Sequence, residues 1–457
     1  MYFDYVISNG EIVTGSGRFT ADVGVRDGKI AAIGSSLAGD SDRTYDASGC
    51  YVTPGFIDGH THMGLPVAGT RSSDDFFTGG RSGVHGGVTT IIDFTTPEPD
   101  QSITQAIESR KKYASNCPID HSFHATLYGF DKLNLKEVES AIDLGVTSFK
   151  FFTAYSESNR RTDDGQLLDA IETISDLGGK PMVHCENDEI ISRKRRKLKE
   201  EGKVSIKYHP VSRPDYSESS AVNDVIELTE IAGGYVHLAH ISTKRSLTDI
   251  AEGVAEGVNM TAETCPQYLL LTEECYGEAD GHRYSATPPL RRVQDNQALW
   301  VAIEDGLINS VATDHCPFKN EQKDPYKDDF LNIPQGLPGI ETLVSLLFTE
   351  GVENGRISLT RFVELLSVNP ARIFGLYPEK GSLQIGTDAD ITVVDPNLEK
   401  EITPENLHMN TDFNPYKGYI TSGWPRFVFL HGELLLEENQ FLGSEGSGNF
   451  LPRNTFG

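Results

Sequence analysis

The chain has 457 residues, of which 40 are Lys or Arg and 67 are Asp or Glu, which gives a formal net charge of −27. This acidic balance argues against a nucleic-acid-binding protein, because contacts with phosphate require a basic face. Hydrophobic residues make up 38% of the chain and charged residues 23%, as in globular proteins. No stretch approaches the roughly 18 consecutive apolar residues of a membrane span, so we expect no membrane partner.

The cysteines and the N-terminal segment indicate the cellular compartment. The six cysteines are widely spaced and contain no C-x-x-C pair, unlike the disulfide framework of a small secreted domain. We therefore expect reduced thiols. The N-terminal segment has neither the basic region nor the sustained apolar region of a signal peptide. Together these features predict a cytoplasmic protein.

Both ends of the chain are rich in short apolar runs separated by turn residues. Asp27-Gly28 lies between two such runs and indicates a β-hairpin. Gly432-Glu433 and Glu438-Asn439 lie between apolar runs in the same way. We expect one small β-sandwich, with its N-terminal part in residues 1–52 and its C-terminal part and tail in residues 376–457.

The central segment, residues 53–375, alternates short apolar runs with amphipathic segments. This alternation is typical of βα units arranged around a parallel sheet. The candidate strands are residues 51–62, 87–95, 121–130, 145–154, 180–187, 235–242, 259–269 and 308–316. Eight such strands predict a (β/α)8 barrel, so the expected fold class is α/β: a TIM-like barrel with a small β-sandwich built from both chain ends.

Side chains that can bind a metal ion or transfer a proton lie at or near the ends of five of these runs. They are His60, His62, Lys150, His184, His240 and Asp314. Catalytic groups of a (β/α)8 barrel gather at the carboxyl ends of its strands, so these residues are expected to converge. His60 and His62 are two residues apart, so both imidazoles face the same side of a strand and can share one metal ion. Asp314 can bind a metal ion and also act as general acid and base.

Lys150 lies within the apolar run GVTSFKFFTA, where a strand would bury it. A buried, unpaired ammonium group is costly, so this lysine must be deprotonated, paired with an acid or chemically changed. A neutral lysine amine can add carbon dioxide to form a carbamate, whose two oxygens can bridge two metal ions. The alternative is an ion pair between Lys150 and an acid inside the barrel.

A site with two metal ions and an adjacent carboxylate is suited to hydrolysis, in which hydroxide attacks a carbonyl carbon. Tyr155 is expected at the mouth of the barrel, where its phenol either donates a hydrogen bond to the developing oxyanion or only packs. Leu65, Val67 and Phe152 lie in the loops after the first and fourth strands. Together with Tyr155, these apolar residues predict a pocket that tolerates hydrophobic groups on a substrate.

Several motifs extend over nearly the whole chain: PGFIDGHTH, GVTSFKFFTAYS, MVHCEN, ETCPQYL, TPPLR, NPARIFGLYP and KGSLQIGTDADITVVDP. In these motifs the chain resembles the cyclic amidohydrolases, and most closely the dihydropyrimidinases and bacterial hydantoinases. The resemblance implies an amidohydrolase barrel with a sandwich formed from both chain ends. It also implies two zinc ions per subunit, bridged by a carboxylated Lys150.

The resemblance further implies a role for each site residue. The first zinc ion would be bound by His60, His62, Lys150 and Asp314, and the second by Lys150, His184 and His240. Asp314 would carry a proton from the bridging water to the leaving nitrogen, and Tyr155 would stabilise the oxyanion. Main-chain groups near Thr287 and Gln335, positions where hydantoinases usually have Ser and Asn, would hold the ring amide of the substrate.

The function implied by the resemblance is hydrolysis of a cyclic amide bond in a dihydropyrimidine or a 5-substituted hydantoin, giving an N-carbamoyl amino acid. The family usually forms tetramers, so we expect a homo-oligomer. An allantoinase or another cyclic imide or ureide hydrolase is an alternative. A dihydroorotase is disfavoured, because those enzymes typically have an Arg where this chain has Gly64. A non-catalytic scaffold is the remaining alternative, although scaffold relatives have lost ligand residues that this chain retains.

Overall fold

The computed structural model of the chain describes residues 2–41, 43–98, 100–129 and 134–456. Its strands are β1 (Tyr5–Ser8), β2 (Glu11–Thr14), β3 (Gly17–Thr20), β4 (Asp22–Arg26), β5 (Lys29–Gly34), β6 (Thr44–Asp46), β7 (Tyr51–Pro54), β8 (Phe56–Thr61), β9 (Pro66–Val67), β10 (Thr70–Arg71), β11 (Val88–Phe94), β12 (Asp120–Thr126), β13 (Ser148–Phe152), β14 (Lys180–His184), β15 (Val236–Leu238), β16 (Met260–Thr264), β17 (Ser310–Val311), β18 (Ile391–Asp395), β19 (Lys400–Glu401), β20 (Ile420–Thr421), β21 (Trp424–Leu430), β22 (Glu433–Glu437) and β23 (Gln440–Phe441). Its α-helices are α1 (Phe76–His85), α2 (Ile103–Tyr113), α3 (Val138–Asp143), α4 (Asp164–Asp176), α5 (Asp188–Glu200), α6 (His209–Ser212), α7 (Asp215–Ala232), α8 (Lys244–Glu256), α9 (Pro266–Leu270), α10 (Val293–Glu304), α11 (Asn320–Lys323), α12 (Leu343–Leu347), α13 (Leu359–Val363) and α14 (Asn369–Ile373).

Eight strands form one sheet in the order β8, β11, β12, β13, β14, β15, β16 and β17. Neighbouring strands in this series are parallel, from β8 with β11 to β16 with β17. A parallel bridge between Thr61 and His315 connects the first strand to the segment after the last one and closes the sheet. The predicted (β/α)8 barrel is therefore confirmed.

Amphipathic helices cover the outside of the barrel. α4 begins at a capping box in which the side chains of Asp163 and Gln166 each bond the other's main chain, and it buries one face, Leu167, Ala170, Ile171 and Ile174. Buried apolar residues of α7 and α8 belong to the same core cluster. Within the part of the chain that the structure describes, no helix has the length and apolar character needed to cross a bilayer.

The predicted strand 51–62 is two strands in the structure. β7 pairs with β2 and β18 of the sandwich, whereas β8 belongs to the barrel. Gly55 separates them, and its N–H donates to the main-chain oxygen of Asp390 at 2.8 Å. A Cβ atom at Gly55 would lie 2.1 Å from Oγ1 of Thr89, so the chain passes from one sheet to the other where only glycine fits.

Other predicted strands are longer than the observed ones. β15 ends at Leu238 and β17 at Val311, because the residues that follow leave the sheet. His240 and Asp314 both have positive φ angles, 38° and 53°, which an extended strand does not allow. β12 ends at Thr126, and the final residue of the predicted strand 121–130 lies outside the described residues.

The sandwich consists of a four-stranded sheet, β5-β4-β1-β6, and a seven-stranded sheet, β23-β22-β21-β18-β7-β2-β3. The second sheet combines both chain ends, because β18 pairs with both β7 and β21. Apolar side chains from the two sheets, among them Ile12, Val25, Ile391 and Phe429, form one buried cluster. The predicted sandwich is confirmed, whereas the domain limits at residues 52 and 375 stay a prediction.

Two-residue turns connect the sandwich hairpins. Asp27 and Gly28, both with positive φ, connect β4 to β5 as predicted. Glu438-Asn439 likewise connects β22 to β23. The turn between β21 and β22 is His431-Gly432, one residue earlier than predicted, because Glu433 already pairs with Leu430.

A buried ionic cluster connects the sandwich to the barrel. The ammonium group of Lys380 lies 2.5 Å from a carboxylate oxygen of Asp120, the first residue of β12, and 2.5 Å from one of Asp390. Asp388 is 3.0 Å from the same nitrogen. Because two of these carboxylates are almost fully buried, their charges depend on the lysine for compensation.

We predict that Lys380→Met lowers the free energy of unfolding by about 3–5 kcal/mol, because it leaves buried carboxylates without their cation. Lys29→Met is the matched control. Lys29 bonds Asp388 at 2.5 Å, but its side chain is 49% exposed, so its loss should cost less than about 1 kcal/mol. Denaturant unfolding of both variants measures the difference, and equal losses would contradict the assignment.

Candidate metal centre and active site

The barrel brings the six predicted metal ligands to the carboxyl end of its strands. β8, β13 and β14 carry His60, Lys150 and His184, and the segments after β8, β15 and β17 carry His62, His240 and Asp314. All six line one cavity of about 340 Å³. The convergence that the sequence predicts is therefore present in the structure.

Three of these side chains are arranged around one point. The Nε2 atoms of His60 and His62 lie 3.3 and 3.0 Å from the same oxygen, Oδ1 of Asp314. The ligand atoms of this group lie within 4.8 Å of one another, so the group could hold a metal ion. Burial acts to raise the pKa of Asp314, but the neighbouring imidazoles of His60, His62 and His240 hold it below its usual range.

Lys150 extends into the cavity without a partner. Its side chain is nearly fully buried, and no hydrogen-bond acceptor contacts Nζ among the described residues. The nearest rings are Phe94 and Phe152, whose centroids lie 5.3 and 5.5 Å from Nζ. Burial lowers the pKa of this amine to about 8, because the charged form loses its hydration. The ion pair that the sequence left open is not present in the described structure.

His184 and His240 form the other half of the cluster. Nδ1 of His184 lies 3.0 Å from Nε2 of His240, and Nε2 of His184 donates to Oε2 of Glu186 at 2.7 Å. Burial lowers the pKa of both imidazoles, which favours the neutral form that binds metal ions. With Nε2 as the donor to Glu186, the Nδ1 atom of His184 carries the electron pair and accepts the hydrogen bond from Nε2 of His240.

Glu263, on β16, is a supporting residue that the sequence analysis did not identify. It accepts a hydrogen bond from Nδ1 of His60 at 2.5 Å and one from Nε2 of His237 at 3.3 Å. The main-chain N–H of His240 donates to the same carboxylate at 3.3 Å. Because Nδ1 of His60 is the donor, its Nε2 atom carries the free electron pair that faces Asp314.

Glu186 supports the second histidine pair and was also not identified from the sequence. Its carboxylate accepts from His184 and forms a buried ion pair with Arg213. The sequence contains one signal for both supporting residues, their position: Glu186 and Glu263 each lie within a predicted strand that ends at the site. A carboxylate in a strand of a barrel interior requires a partner, and here the partners are the ligand histidines.

Two neighbouring histidines have structural contacts instead. His237 is buried inside the barrel and bonds Thr261 and Glu263. The Nδ1 atom of His315 accepts hydrogen bonds from main-chain N–H groups at 3.1 and 3.3 Å, so its Nε2 is the donor to Asp74. His315 is thereby held away from the ligand cluster.

Tyr155 lies beside the cluster in a left-handed conformation with φ of 73°. Its ring centroid is 5.1 Å from that of His184 and 5.7 Å from that of Phe152. The guanidinium carbon of Arg213 lies 5.1 Å from the centre of the Tyr155 ring. Burial raises the pKa of the Tyr155 phenol to about 12, so it stays protonated and able to donate a hydrogen bond.

The remaining predicted residues, Leu65, Phe152, Thr287 and Gln335, also line the cavity. Lys323 holds two of the cavity segments together, because its Nζ atom donates to the main-chain oxygens of Ser285 and Gly336 at 3.1 and 2.7 Å. The side-chain amide of Gln335 donates to the main-chain oxygen of Ile333 at 2.9 Å. This bond turns the side chain towards its own loop.

The cavity is less apolar than the sequence analysis expected. Leu65, Val67 and Phe152 form part of its wall, but three arginines line it as well: Arg160, Arg195 and Arg213. Arg195 comes from the basic helix α5 and forms an ion pair with Glu157 at 2.5 Å. The cavity wall therefore combines apolar and cationic groups.

Comparisons with known proteins agree with this geometry. The model of the amidohydrolase family matches residues 51–435. The D-hydantoinase of Geobacillus stearothermophilus is 39% identical over 99% of this chain and 97% of its own length, and that of Ralstonia pickettii is 38% identical over 99% of both. The solved dihydropyrimidinase of Brevibacillus agri has a TM-score of 0.96 and 37% identity, and the match covers 99% of both chains.

The chain belongs to the amidohydrolase family. The resemblance to hydantoinases and dihydropyrimidinases is thereby confirmed, and the protein is an enzyme, a cyclic amidohydrolase. The alternative of a non-catalytic scaffold is therefore wrong.

We predict that Glu263→Gln weakens metal binding by about 10–100-fold, because the carboxylate that orients His60 is lost. Chelator competition followed by elemental analysis measures the affinity. Asp295→Asn is the control, since Asp295 is a buried carboxylate that caps α10 through the Arg292 N–H at 3.1 Å, away from the site. Unchanged affinity in Glu263→Gln would contradict the supporting role.

Proposed function

We propose that this enzyme hydrolyses a cyclic amide bond in a dihydropyrimidine or a 5-substituted hydantoin, in a zinc-dependent reaction that gives an N-carbamoyl amino acid. The observation that carries the proposal is the convergence of four histidines, an aspartate and an unpartnered lysine in one cavity. Full-length similarity to proteins named D-hydantoinase and dihydropyrimidinase supports the substrate class.

The residues fit a binuclear zinc centre. We propose that His60, His62, Lys150 and Asp314 bind one ion and that Lys150, His184 and His240 bind the other. Imidazole and carboxylate ligands suit zinc, and the unprotonated nitrogens of His60 and His184, Nε2 and Nδ1, face the cluster. The strongest support for a modified Lys150 is a buried amine that makes no hydrogen bond and no ion pair within the described structure.

Carboxylation of Lys150 forms a bond between Nζ and the carbon of carbon dioxide and releases one proton. The product is a carbamate with one negative charge and two oxygens. Burial favours the neutral amine that this addition needs, since it disfavours the ammonium form. The carbamate would supply a negative charge at a position where the unmodified lysine has an amine with no hydrogen-bond partner among the described residues.

In the proposed reaction, water adds to the ring carbonyl carbon, the carbon–nitrogen bond breaks, and the nitrogen takes up a proton. When bound, zinc ions lower the pKa of a water molecule and polarise a carbonyl oxygen. We propose that Asp314 accepts the proton of the attacking water and delivers it to the leaving nitrogen. Tyr155 donates a hydrogen bond to the oxygen on which negative charge develops.

Substrate orientation depends on the cavity walls. We propose that main-chain groups at Thr287 and Gln335 hold the ring amide, while Leu65 and Phe152 contact the ring substituent. The turn of the Gln335 side chain towards its own loop supports a main-chain contact at that position. Lys323 keeps the segments that carry these groups at a fixed separation.

The alternative substrates are disfavoured to different degrees. A dihydroorotase would need an Arg at Gly64, but this glycine has φ of 58° and a Cβ there would lie 2.2 Å from the Tyr113 hydroxyl. Allantoin and other cyclic imides or ureides have no such obstacle in the described residues. The cytoplasmic location and the homotetramer stay predictions.

We predict that the zinc-loaded, bicarbonate-supplied enzyme opens dihydrouracil and a 5-alkylhydantoin faster than allantoin, whose polar ureido group does not match Leu65 and Phe152, and that it does not open dihydroorotate. Tyr155→Phe should lower kcat by about 100–1,000-fold, as expected for loss of one oxyanion donor, and should keep its zinc. Rates on the four substrates and zinc content of both proteins are the measurements.

Two results would contradict the proposal. Rapid opening of allantoin or dihydroorotate, with none of the first two substrates opened, would assign a different substrate. A Tyr155→Phe enzyme with wild-type kcat would remove this residue from the reaction.

A further inference from the structure

The wall of the active-site cavity is cationic, although the chain as a whole carries a net charge of −27. Arg160, Arg195 and Arg213 line it together with one acid outside the metal cluster, Glu157. Two of these guanidinium groups have partners. Arg213 forms its ion pair with Glu186, and Arg195 with Glu157.

Arg160 is different, because no carboxylate or other hydrogen-bond acceptor contacts its guanidinium in the part of the chain that the structure describes. Its guanidinium carbon lies 5.7 Å from the centre of the Tyr128 ring, which lines the same cavity. The adjacent acids are already engaged, since Glu189 bonds the neighbouring Arg161. A half-buried guanidinium without an acceptor therefore faces the space that a substrate would occupy.

The backbone fixes Arg160 relative to Tyr155. The N–H groups of Ser158 and Arg160 both donate to the main-chain oxygen of Tyr155, at 3.1 and 3.2 Å. This compact turn carries Tyr155 at one end and Arg160 at the other. The turn therefore holds the Arg160 backbone next to that of Tyr155, whose phenol is proposed to bond the reacting carbonyl oxygen.

The positive charge of Arg160 also affects a second group in the cavity, the phenol of Tyr155. Burial raises the pKa of Tyr155, and the positive charges of Arg213 and Arg160 act in the opposite direction. A guanidinium in such a setting is best matched by a carboxylate, which can accept two parallel hydrogen bonds. Anions in solution are repelled by the acidic surface of the protein, so a local cationic group is needed to bind one.

We propose that Arg160 is a specificity-determining residue that binds a carboxylate on the ring substituent, so that the substrate class is a cyclic amide with an acidic side chain. The inference rests on the proposed function and narrows it. Leu65 and Phe152 contact the aliphatic part of the substituent, and Arg160 binds its charged end.

The test uses two hydantoins of equal size that differ in charge, 5-carboxymethyl-hydantoin and its amide, 5-carbamoylmethyl-hydantoin. We expect kcat/KM of the wild-type enzyme to be about tenfold higher for the acid, in the range of one charge-assisted hydrogen bond. The preference should lie in KM, because Arg160 does not touch the reacting atoms. In Arg160→Gln the ratio should fall to about one through a higher KM for the acid, with kcat within about twofold.

Two variants control for the position and shape of the charge. Arg161→Gln removes the neighbouring guanidinium, which bonds Glu189 outside the cavity wall, and should keep the full preference. Arg160→Lys keeps the charge but not the bidentate geometry, so it should restore part of the preference. Zinc content of each variant reports whether the site is intact.

The outcomes separate this inference from the proposed function. Opening of the amide with no preference for the acid would overturn the inference and leave the proposed function standing. An unchanged preference in Arg160→Gln would overturn it as well. Opening of neither hydantoin, nor of dihydrouracil, by the zinc-loaded enzyme would overturn the proposed function and this inference with it.

Discussion

The structure of the active site depends on one constraint, the burial of the Lys150 amine. β13 carries this side chain into the interior of the barrel, where it is nearly fully buried and has no hydrogen-bond acceptor among the described residues. An ammonium group there has lost its hydration without gaining a partner. Burial therefore raises the fraction of neutral amine, and the imidazoles of the site and Asp314 line the same cavity. This arrangement supports the proposed metal centre.

Two buried carboxylates orient histidine side chains of the candidate metal site. Glu263 and Glu186 each fix one imidazole, and each carboxylate is itself held by a second contact, to His237 or to Arg213. His240 and Asp314 leave their strands through positive φ angles, which turn their side chains inwards at the barrel end. Positive φ angles and buried carboxylates are both costly, and the site contains both.

The barrel could be predicted from the sequence because the signal of a βα unit is local and recurs along the chain. Eight apolar runs alternate with amphipathic segments, and the ligand residues lie near the ends of those runs. It could not predict where β15 and β17 end, because the positive φ angles of His240 and Asp314 arise from tertiary contacts. It also combined β7 and β8, since the change of sheet at Gly55 is imposed by Thr89, a residue distant in sequence.

The supporting carboxylates and the cationic cavity wall were missed for a related reason. Glu186 and Glu263 are recognised as supports only when the imidazole atoms that contact them are known. Arg160 follows Tyr155 in a turn of ordinary composition, and its lack of a partner is a property of the folded chain. Residue type and strand position therefore identify candidate ligands, whereas the orientation of their side chains and the charge of a pocket require the tertiary structure.

The most direct test of this account is the chemical state of Lys150. Enzyme prepared with zinc and carbon-13 bicarbonate should show a carbamate carbon signal by NMR and two zinc ions per chain. Both should be lost in Lys150→Ala, with circular dichroism showing a folded protein. An enzyme that binds two zinc ions with no carbamate signal, or that keeps both ions in Lys150→Ala, would contradict the account.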